Sequence, residues 1–400
     1  MGYDAIVVGA GPAGCAAALG AARAGLSVAL VERHTLPRHK TCGGGMPMVM
    51  GGLLPALRPE GIVEAEVGAM RHTFAFDGPV LAEINPAGAE ERLTLWMVQR
   101  SVFDQALARA AQEAGAQLVE GATVREVDIR PDGVALRADL AGGGHWQAQA
   151  AVVVGADGAN GVVARAVGLR QRRILAVALE VEQAHRWGTG HETLRPDVLH
   201  LDFGAVERGY AWIFPKGDHL NVGAGIFRPR QGGRGDGRIR EELCRAVFAY
   251  MEALGVPHDP AATRFHGHTL PLWNGAEPLS TRDGRVLLTG DAAGLVNPMF
   301  GDGILNAVLS GQIAARCLAS GTPERYTRII HHEMARNLDA AQRLARVFYG
   351  WPALCYRHGV TRPGATRTAA SLLCGRAAFT EVSRRALRRL SRLLPRVAPA

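Results

Sequence analysis

The chain has 400 residues, 48% of them hydrophobic, 20% charged and 6% aromatic, which is the make-up of an ordinary globular protein and excludes disordered, collagenous and small disulfide-stapled folds. At roughly 100–200 residues per domain, the length fits two or three packed units with a core large enough to enclose a ligand. Lysine and arginine number 45 against 37 acidic residues, a net charge of +8, but Arg384, Arg385, Arg388, Arg389, Arg392 and Arg396 all follow Glu381 at the end of the chain, so the basicity is a tail feature and nucleic acid is not an expected partner.

Residues 3–8 form a short β-branched run ending in glycine, as a buried parallel strand does; residues 13–25 read as an alanine-rich helix closed by Gly25, and residues 27–31 as a second strand. This is a βαβ unit. The span 5–31 carries Arg23 as its only charge, yet Gly9, Gly11, Pro12 and Gly14 interrupt it and no basic leader precedes it, so it is expected to be neither signal peptide nor membrane span. Alternation over residues 70–97 predicts antiparallel strands, and residues 99–115 predict a helix. A strand at 117–119, a hairpin near Pro131-Asp132-Gly133 and the apolar run 151–154 follow. Residues 172–275 read as strands and turns around one helix from Arg238 to Leu254, with a surface loop at 228–237; a last strand at 286–289 precedes a wholly helical end. The pattern predicts a discontinuous α/β cofactor domain (1–70, 98–170 and 276–340), an inserted antiparallel sheet domain (71–97 and 171–275) and a helical region over 341–400.

Gly9-Ala10-Gly11-Pro12-Ala13-Gly14 is a G-x-G-x-x-G turn placed after a strand and at the start of a helix, where backbone N–H groups and the helix dipole can hold a pyrophosphate. Glu32 closes the second strand 18 residues after Gly14, where a carboxylate can accept from a ribose. No second copy exists: Gly155-Ala156-Asp157-Gly158-Ala159-Asn160-Gly161 has the wrong spacing and reads equally as a turn that buckles the sheet. The cysteines Cys15, Cys42, Cys244, Cys317, Cys355 and Cys374 form no C-x-x-C pair, which points to a reducing, cytoplasmic setting. His266-Gly267-His268 and His331-His332 lack partner ligands, so no metal site is expected.

Gln99-Arg100 at a helix start, the Gly155–Ala159 turn, and Gly290-Asp291-Ala292-Ala293 followed by Pro298, Gly301 and Gly303 resemble the set shared by FAD-dependent hydroxylases. The chain is similar more narrowly to the geranylgeranyl reductase family, on Pro37-Arg38-His39-Lys40-Thr41-Cys42-Gly43-Gly44-Gly45, on the segment from Gly290 to Ile304, and on Tyr210-Ala211-Trp212-Ile213-Phe214-Pro215 with Gly223 and Gly225. The likeness runs from residue 6 to about 311. It implies an FAD-binding Rossmann-like domain of the glutathione-reductase and hydroxylase type, a substrate sheet and a helical C-terminal region. FAD would be held by Gly9, Gly11, Ala13, Gly14, Glu32, Arg33, Cys42, Gly43, Gly44, Gly45, Arg100, Val124, Asp291, Gly301, Gly303 and Ile304. Tyr210, Trp212, Phe214, Pro215, Gly223 and Gly225 would line a cavity for an isoprenoid or prenyl-lipid substrate.

The residues themselves carry part of this. Arg100 can fork onto phosphate oxygens and Asp291 can accept from ribityl hydroxyls. Lys40 and Arg33 are either phosphate contacts or solvated charges. Tyr210, Trp212 and Phe214 share one strand face by the period of two, and each is alternatively plain core. Three consecutive glycines leave room for a flat ring against the backbone. Reducing an unpolarised alkene takes a hydride at one carbon and a proton at its neighbour, so Cys42, with Tyr210 and Trp212 nearby, is a candidate catalytic group, as proton donor or regiochemical gate; the alternative is a small packed residue. The electron donor would be NAD(P)H or a reduced ferredoxin or flavodoxin. Arg384, Arg385, Arg388, Arg389 and Arg392 fall opposite Ala386, Leu387, Leu390, Leu393 and Leu394 on a basic amphipathic helix, which either docks on the body or contacts a membrane peripherally. Rival activities are an O2-dependent monooxygenase or halogenase and a non-catalytic lipid-binding flavoprotein.

Overall fold

A computed structural model describes residues 2–390 apart from 56, 58, 189–192, 228–235 and 276. Almost all of the surface loop expected at 228–237, together with Arg392, Leu393, Leu394 and Arg396 of the basic helix, lies outside the described residues.

The first sheet is centred on Gly2–Val8, which pairs in parallel with Val28–Val31 on one side and with the end of His145–Gly155 on the other. Gln117–Val119 and Val286–Leu288 extend it in parallel. Ala5, Ile6, Val7, Val153, Val154 and Leu287 are all 0% exposed, so both faces of the sheet are covered, which is why these strands are continuous apolar runs. The hairpin of Ala122–Arg130 and Gly133–Leu140 adds an antiparallel wing. Helix Pro12–Arg23 ends before Gly25, whose φ of +84° supplies the left-handed turn.

Seven strands form the second sheet, in the order His266–Leu272, Ile174–Ala184, His219–Ile226, Gly209–Pro215, Val198–Asp202, Ala69–Phe74 and Asp77–Glu83. All neighbours are antiparallel except Val198–Asp202 and Ala69–Phe74. Helix Asp236–Ala253 packs on this sheet, burying Leu243, Val247, Tyr250 and Met251. The alternating stretch 70–97 therefore divides: its first two strands join this sheet, whereas Leu95–Val98 forms a three-stranded sheet with Gly45–Pro47 and Val63–Val67. Those last two strands have three and five residues, too short for alternation to reveal.

The helical end of the chain closes over the seam between the sheets. Helix Phe379–Leu390 lies against Arg336–Phe348, with Phe379 and Ser383 buried and Arg384, Arg385 and Arg388 exposed, so the described part of the basic helix docks on the body. Among the described residues no helix is long and apolar enough to cross a membrane.

Helix Pro12–Arg23 is held in place mainly by Ile304–Ala319. The approach is close: a β-carbon on Gly311 would strike the Ala13 carbonyl, and one on Gly20 would lie 2.6 Å from the Ala315 methyl. Gly311→Val is expected to lower stability by about 1–3 kcal/mol through overpacking, read as a drop in thermal midpoint. An unchanged midpoint contradicts this packing.

Candidate functional site

A cavity of about 1560 Å3 runs from the glycine turn, across the seam between the sheets, to the C-terminal helices. It exceeds the roughly 300–1,000 Å3 of an ordinary small-ligand pocket and has room for a dinucleotide and a chain-like molecule together. Gly9, Gly11, Ala13, Glu32, Arg33 and Val124 line one end, and Gly301, Gly303, Ile304 and Asp291 border its middle.

The glycines of the turn divide their work. A β-carbon on Gly9, whose φ is +103°, would strike the Ala156 carbonyl, and one on Gly14 would strike the Gly9 carbonyl; one on Gly11 would meet nothing within 4 Å. Gly9 and Gly14 thus permit the tight turn and close packing, while Gly11 leaves open space at the start of helix Pro12–Arg23, as a pyrophosphate requires. Gly14 itself does not reach the cavity. The residues therefore fit FAD on geometry alone.

Behind this turn four charged side chains alternate in sign. Glu32 accepts from the Ala10 N–H at 2.9 Å and the His34 N–H at 3.1 Å. Arg38 bridges Glu32 at 3.4 Å and Asp104 at 3.1 Å, and Asp104, wholly buried, accepts from Nε and Nη2 of Arg100, each at 2.9 Å. The fork of Arg100, expected on phosphate oxygens, is thus taken by Asp104. Burial works against the Arg100 charge, but the Asp104 carboxylate, helped by the Cys42 thiol, overrides it and raises the guanidinium above its ordinary range. Arg33 is exposed; Arg38, which sequence reading passed over, is the inward arginine.

Asp291 sits in the short 3-10 helix Gly290–Ala293, 3.8 Å from Nε2 of His268 on the second sheet. Burial opposes its charge, yet His268, Lys40 and Arg100 hold the carboxyl below the usual range. His268 is therefore a neighbour of the ribityl candidate, and among the described residues no group of three or more potential ligands forms a metal site. Asp157 accepts from the Val163 N–H at 2.9 Å, and Gly161 has no room for a side chain beside its carboxyl, so it braces a turn.

The bend at Cys42–Gly45 is where the two sheets meet. The Cys42 N–H donates to Glu180 Oε1 at 2.7 Å, and the Gly44 N–H points to Cys42 Sγ at 3.4 Å. A β-carbon on Gly43 would lie 2.7 Å from the Phe214 ring; one on Gly44, whose φ is +70°, would strike the Val98 carbonyl. Lys216, 1% exposed, donates to that same carbonyl at 2.7 Å, and burial lowers its pKa. A side chain at either position would collide with the protein itself, with Phe214 at Gly43 and with the Val98 carbonyl at Gly44, so packing alone calls for glycine at both. A β-carbon on Gly45 would make only ordinary contacts, at 3.5 Å and beyond.

Tyr210, Trp212 and Phe214 do share one face and line the cavity, with successive ring centroids 5.9 Å apart. Their polar atoms are already engaged. The Trp212 N–H donates to Asn221 at 2.8 Å, and the Tyr210 hydroxyl donates to the Phe300 carbonyl. Pro215, Gly223 and Gly225, expected to touch substrate, do not reach the cavity: a side chain on Gly223 would enter the Trp212 indole and one on Gly225 the Phe227 ring, so both glycines seat the wall from behind. Leu344, Phe348, Val360 and Leu372 form the far wall. They lie beyond residue 311, past the last of the motifs read from the sequence.

Asp104→Asn is expected to cost about 3–5 kcal/mol, because two buried guanidiniums lose their shared carboxylate. Denaturant unfolding measures this; wild-type stability in the variant contradicts the linkage.

Residues 2–325 match the model of the FAD binding domain family. The chain is 32% identical over 335 residues to geranylgeranyl diphosphate reductase of Rhodobacter capsulatus, covering 81% of this chain and 78% of that protein. It is 30% identical over 363 residues to menaquinone reductase of Mycolicibacterium smegmatis, covering 86% and 83%. A geranylgeranyl bacteriochlorophyll reductase-like protein of Thermoplasma acidophilum shares the fold at a TM-score of 0.75 and 22% identity, with 96% of each chain covered. The glycine turn, the paired sheets and these likenesses agree, and the chain belongs to the geranylgeranyl reductase family of FAD-dependent oxidoreductases.

Proposed function

We propose that the protein saturates C=C bonds in an isoprenoid chain. The observation that carries this reading is the continuity of one cavity from the open face of Gly11, past the Cys42–Gly45 bend, to an apolar chamber walled by Tyr210, Trp212, Phe214 and the C-terminal helices. Relatives named for reducing geranylgeranyl diphosphate and menaquinone support it. When bound and reduced, FAD supplies a hydride from N5.

The chain's own residues do the rest. Gly11 and the start of helix Pro12–Arg23 would hold the pyrophosphate, Glu32 the ribose and Asp291 the ribityl chain, with Arg38 and Arg100 keeping that end of the cavity charged. The aromatic wall orients the isoprenoid and excludes water. With the Tyr210 O–H and Trp212 N–H committed to Phe300 and Asn221, both rings act by shape. Cys42 stands between the two regions as a gate selecting which bond reaches the ring. With no second dinucleotide turn, electrons would arrive from transiently bound NAD(P)H or from a small redox protein such as ferredoxin or flavodoxin.

The reduced holoenzyme incubated under argon with geranylgeranyl diphosphate is expected to yield products heavier by two hydrogens for each saturated bond. A strict need for O2 contradicts the reading and favours hydroxylation or halogenation. Cys42→Ala is expected to change which bond is reduced first, as seen in the product isomers by mass spectrometry; an unaltered rate and position removes the gate.

A further inference from the structure

Alkene saturation consumes a proton as well as a hydride, and the aromatic wall offers none, because its O–H and N–H groups are already donated to Phe300 and Asn221. Asp302 is placed differently. It lies between Gly301, whose φ is +70°, and Gly303, at the start of helix Ile304–Ala319, and it lines the cavity. Its backbone is fixed: its carbonyl accepts from the Asn297 N–H at 2.9 Å, and the Asn297 carbonyl accepts from the Gly301 N–H at 2.9 Å.

The carboxyl is poorly suited to carrying charge there. Oδ1 is buried and has no hydrogen-bond partner, a situation costly for a carboxylate and mild for a neutral acid. Among the described residues no cation forms an ion pair with it. Ionisable groups sharing the cavity lining include Tyr210 on its strand, Lys40 just before the bend and Cys42 on it, His268 on the strand His266–Leu272, Asp291 on the 3-10 helix, and His358, Arg362 and Arg385 in the C-terminal region. Of these, His268 and Lys40 act on Asp291, and Tyr210 is neutral, held well above the ordinary phenol range by burial and then by Asp302 and Cys42. Burial pushes the Asp302 carboxyl up to about 7, outweighing a smaller opposing influence of its own N–H and of Asn297.

We propose that Asp302 is the catalytic acid of the reduction: its protonated carboxyl, beside Tyr210, gives its proton to the alkene carbon next to the one that takes the hydride. The carboxyl O–H bond breaks as the new C–H bond forms. The hydride and its electron pair come from reduced FAD, which the external nicotinamide or redox-protein donor restores, and the carboxylate regains a proton from water. This assignment rests on the functional reading above. It differs from the sequence expectation, in which Cys42 was the candidate donor, and leaves the thiol as a gate.

Two measurements test it. In the first, reoxidation of the reduced holoenzyme by geranylgeranyl diphosphate is followed under argon across pH. The wild-type rate is expected to be highest at low pH and to fall about tenfold per unit above about 7, since the acid must be protonated. Asp302→Asn is expected to slow the step by about 10²–10⁴-fold and remove the pH break, Asp302→Glu to restore part of both, and all to keep the visible FAD spectrum. An Asp302→Asn enzyme within threefold of wild type, with the same break, overturns the proposal while leaving the functional reading intact. Reoxidation absent in wild type and variant alike, at every pH, marks failure of the functional reading and takes the proposal with it. The second measurement needs no turnover and no folded variant: carbon-13 NMR of the aspartate-labelled wild-type holoenzyme is expected to contain a carboxyl titrating near 7. Titration of every aspartate below about 5 overturns the proposal.

Discussion

The press of the Phe214 ring against Gly43, locked by the Glu180 carboxylate on the Cys42 N–H, is the contact on which the rest of the molecule depends. The bend belongs to the loop after the first βαβ unit; Phe214 and Glu180 belong to the other sheet. A side chain at Gly43 would have to part the two, and with them the cofactor end and the apolar end of the cavity. The lock is not a simple charge. Burial raises the Glu180 pKa, and hydrogen bonding to Asn221 and to the Cys42 N–H works against that rise. Because Asn221 also receives the Trp212 N–H, one buried network fixes the bend and the aromatic wall together.

On either side of the bend the cavity differs in kind. Toward the glycine turn, Glu32, Arg38, Asp104 and Arg100 alternate in sign, and each buried cation has a carboxylate within hydrogen-bond or ion-pair distance. Toward the C-terminal helices the lining includes Tyr210, Phe214, Leu344, Phe348 and Leu372, with Asp302, His358 and Arg362 among them. A low-dielectric interior makes the first arrangement strong only while every charge is matched, whereas the apolar side chains of the second add no desolvation cost. Lys216 illustrates the boundary: it is buried with its ammonium donating to the Val98 carbonyl, and burial lowers its pKa where Asp104 raises that of Arg100.

What could be read from the chain was local. The strand, turn and helix around Gly9–Gly14, the place of Glu32 just after the second strand and the period-two face of Tyr210, Trp212 and Phe214 each lie within one segment, and the fold puts each of them where the sequence pattern does. What escaped notice depends on partners far away in sequence. Arg38 and Asp104 are 66 positions apart, and nothing in either neighbourhood marks the pair. The reasons for Gly43, Gly44 and Gly223 lie in rings and a carbonyl on other strands. Strands Gly45–Pro47 and Val63–Val67 are strands because Leu95–Val98 lies between them. The C-terminal helices read correctly as helices, but their amphipathic pattern could not say which surface they cover.

The account's central claim is that flavin and isoprenoid share one cavity, divided only by the Cys42–Gly45 bend. The most direct measurement titrates the oxidised, FAD-loaded protein with a fully saturated prenyl lipid, which cannot react, while recording the visible flavin spectrum and the heat of binding. The account predicts a saturable spectral shift with the same midpoint as the heat, because the chain displaces water from the ring. Binding heat with no change in the flavin spectrum would place the lipid elsewhere and contradict it.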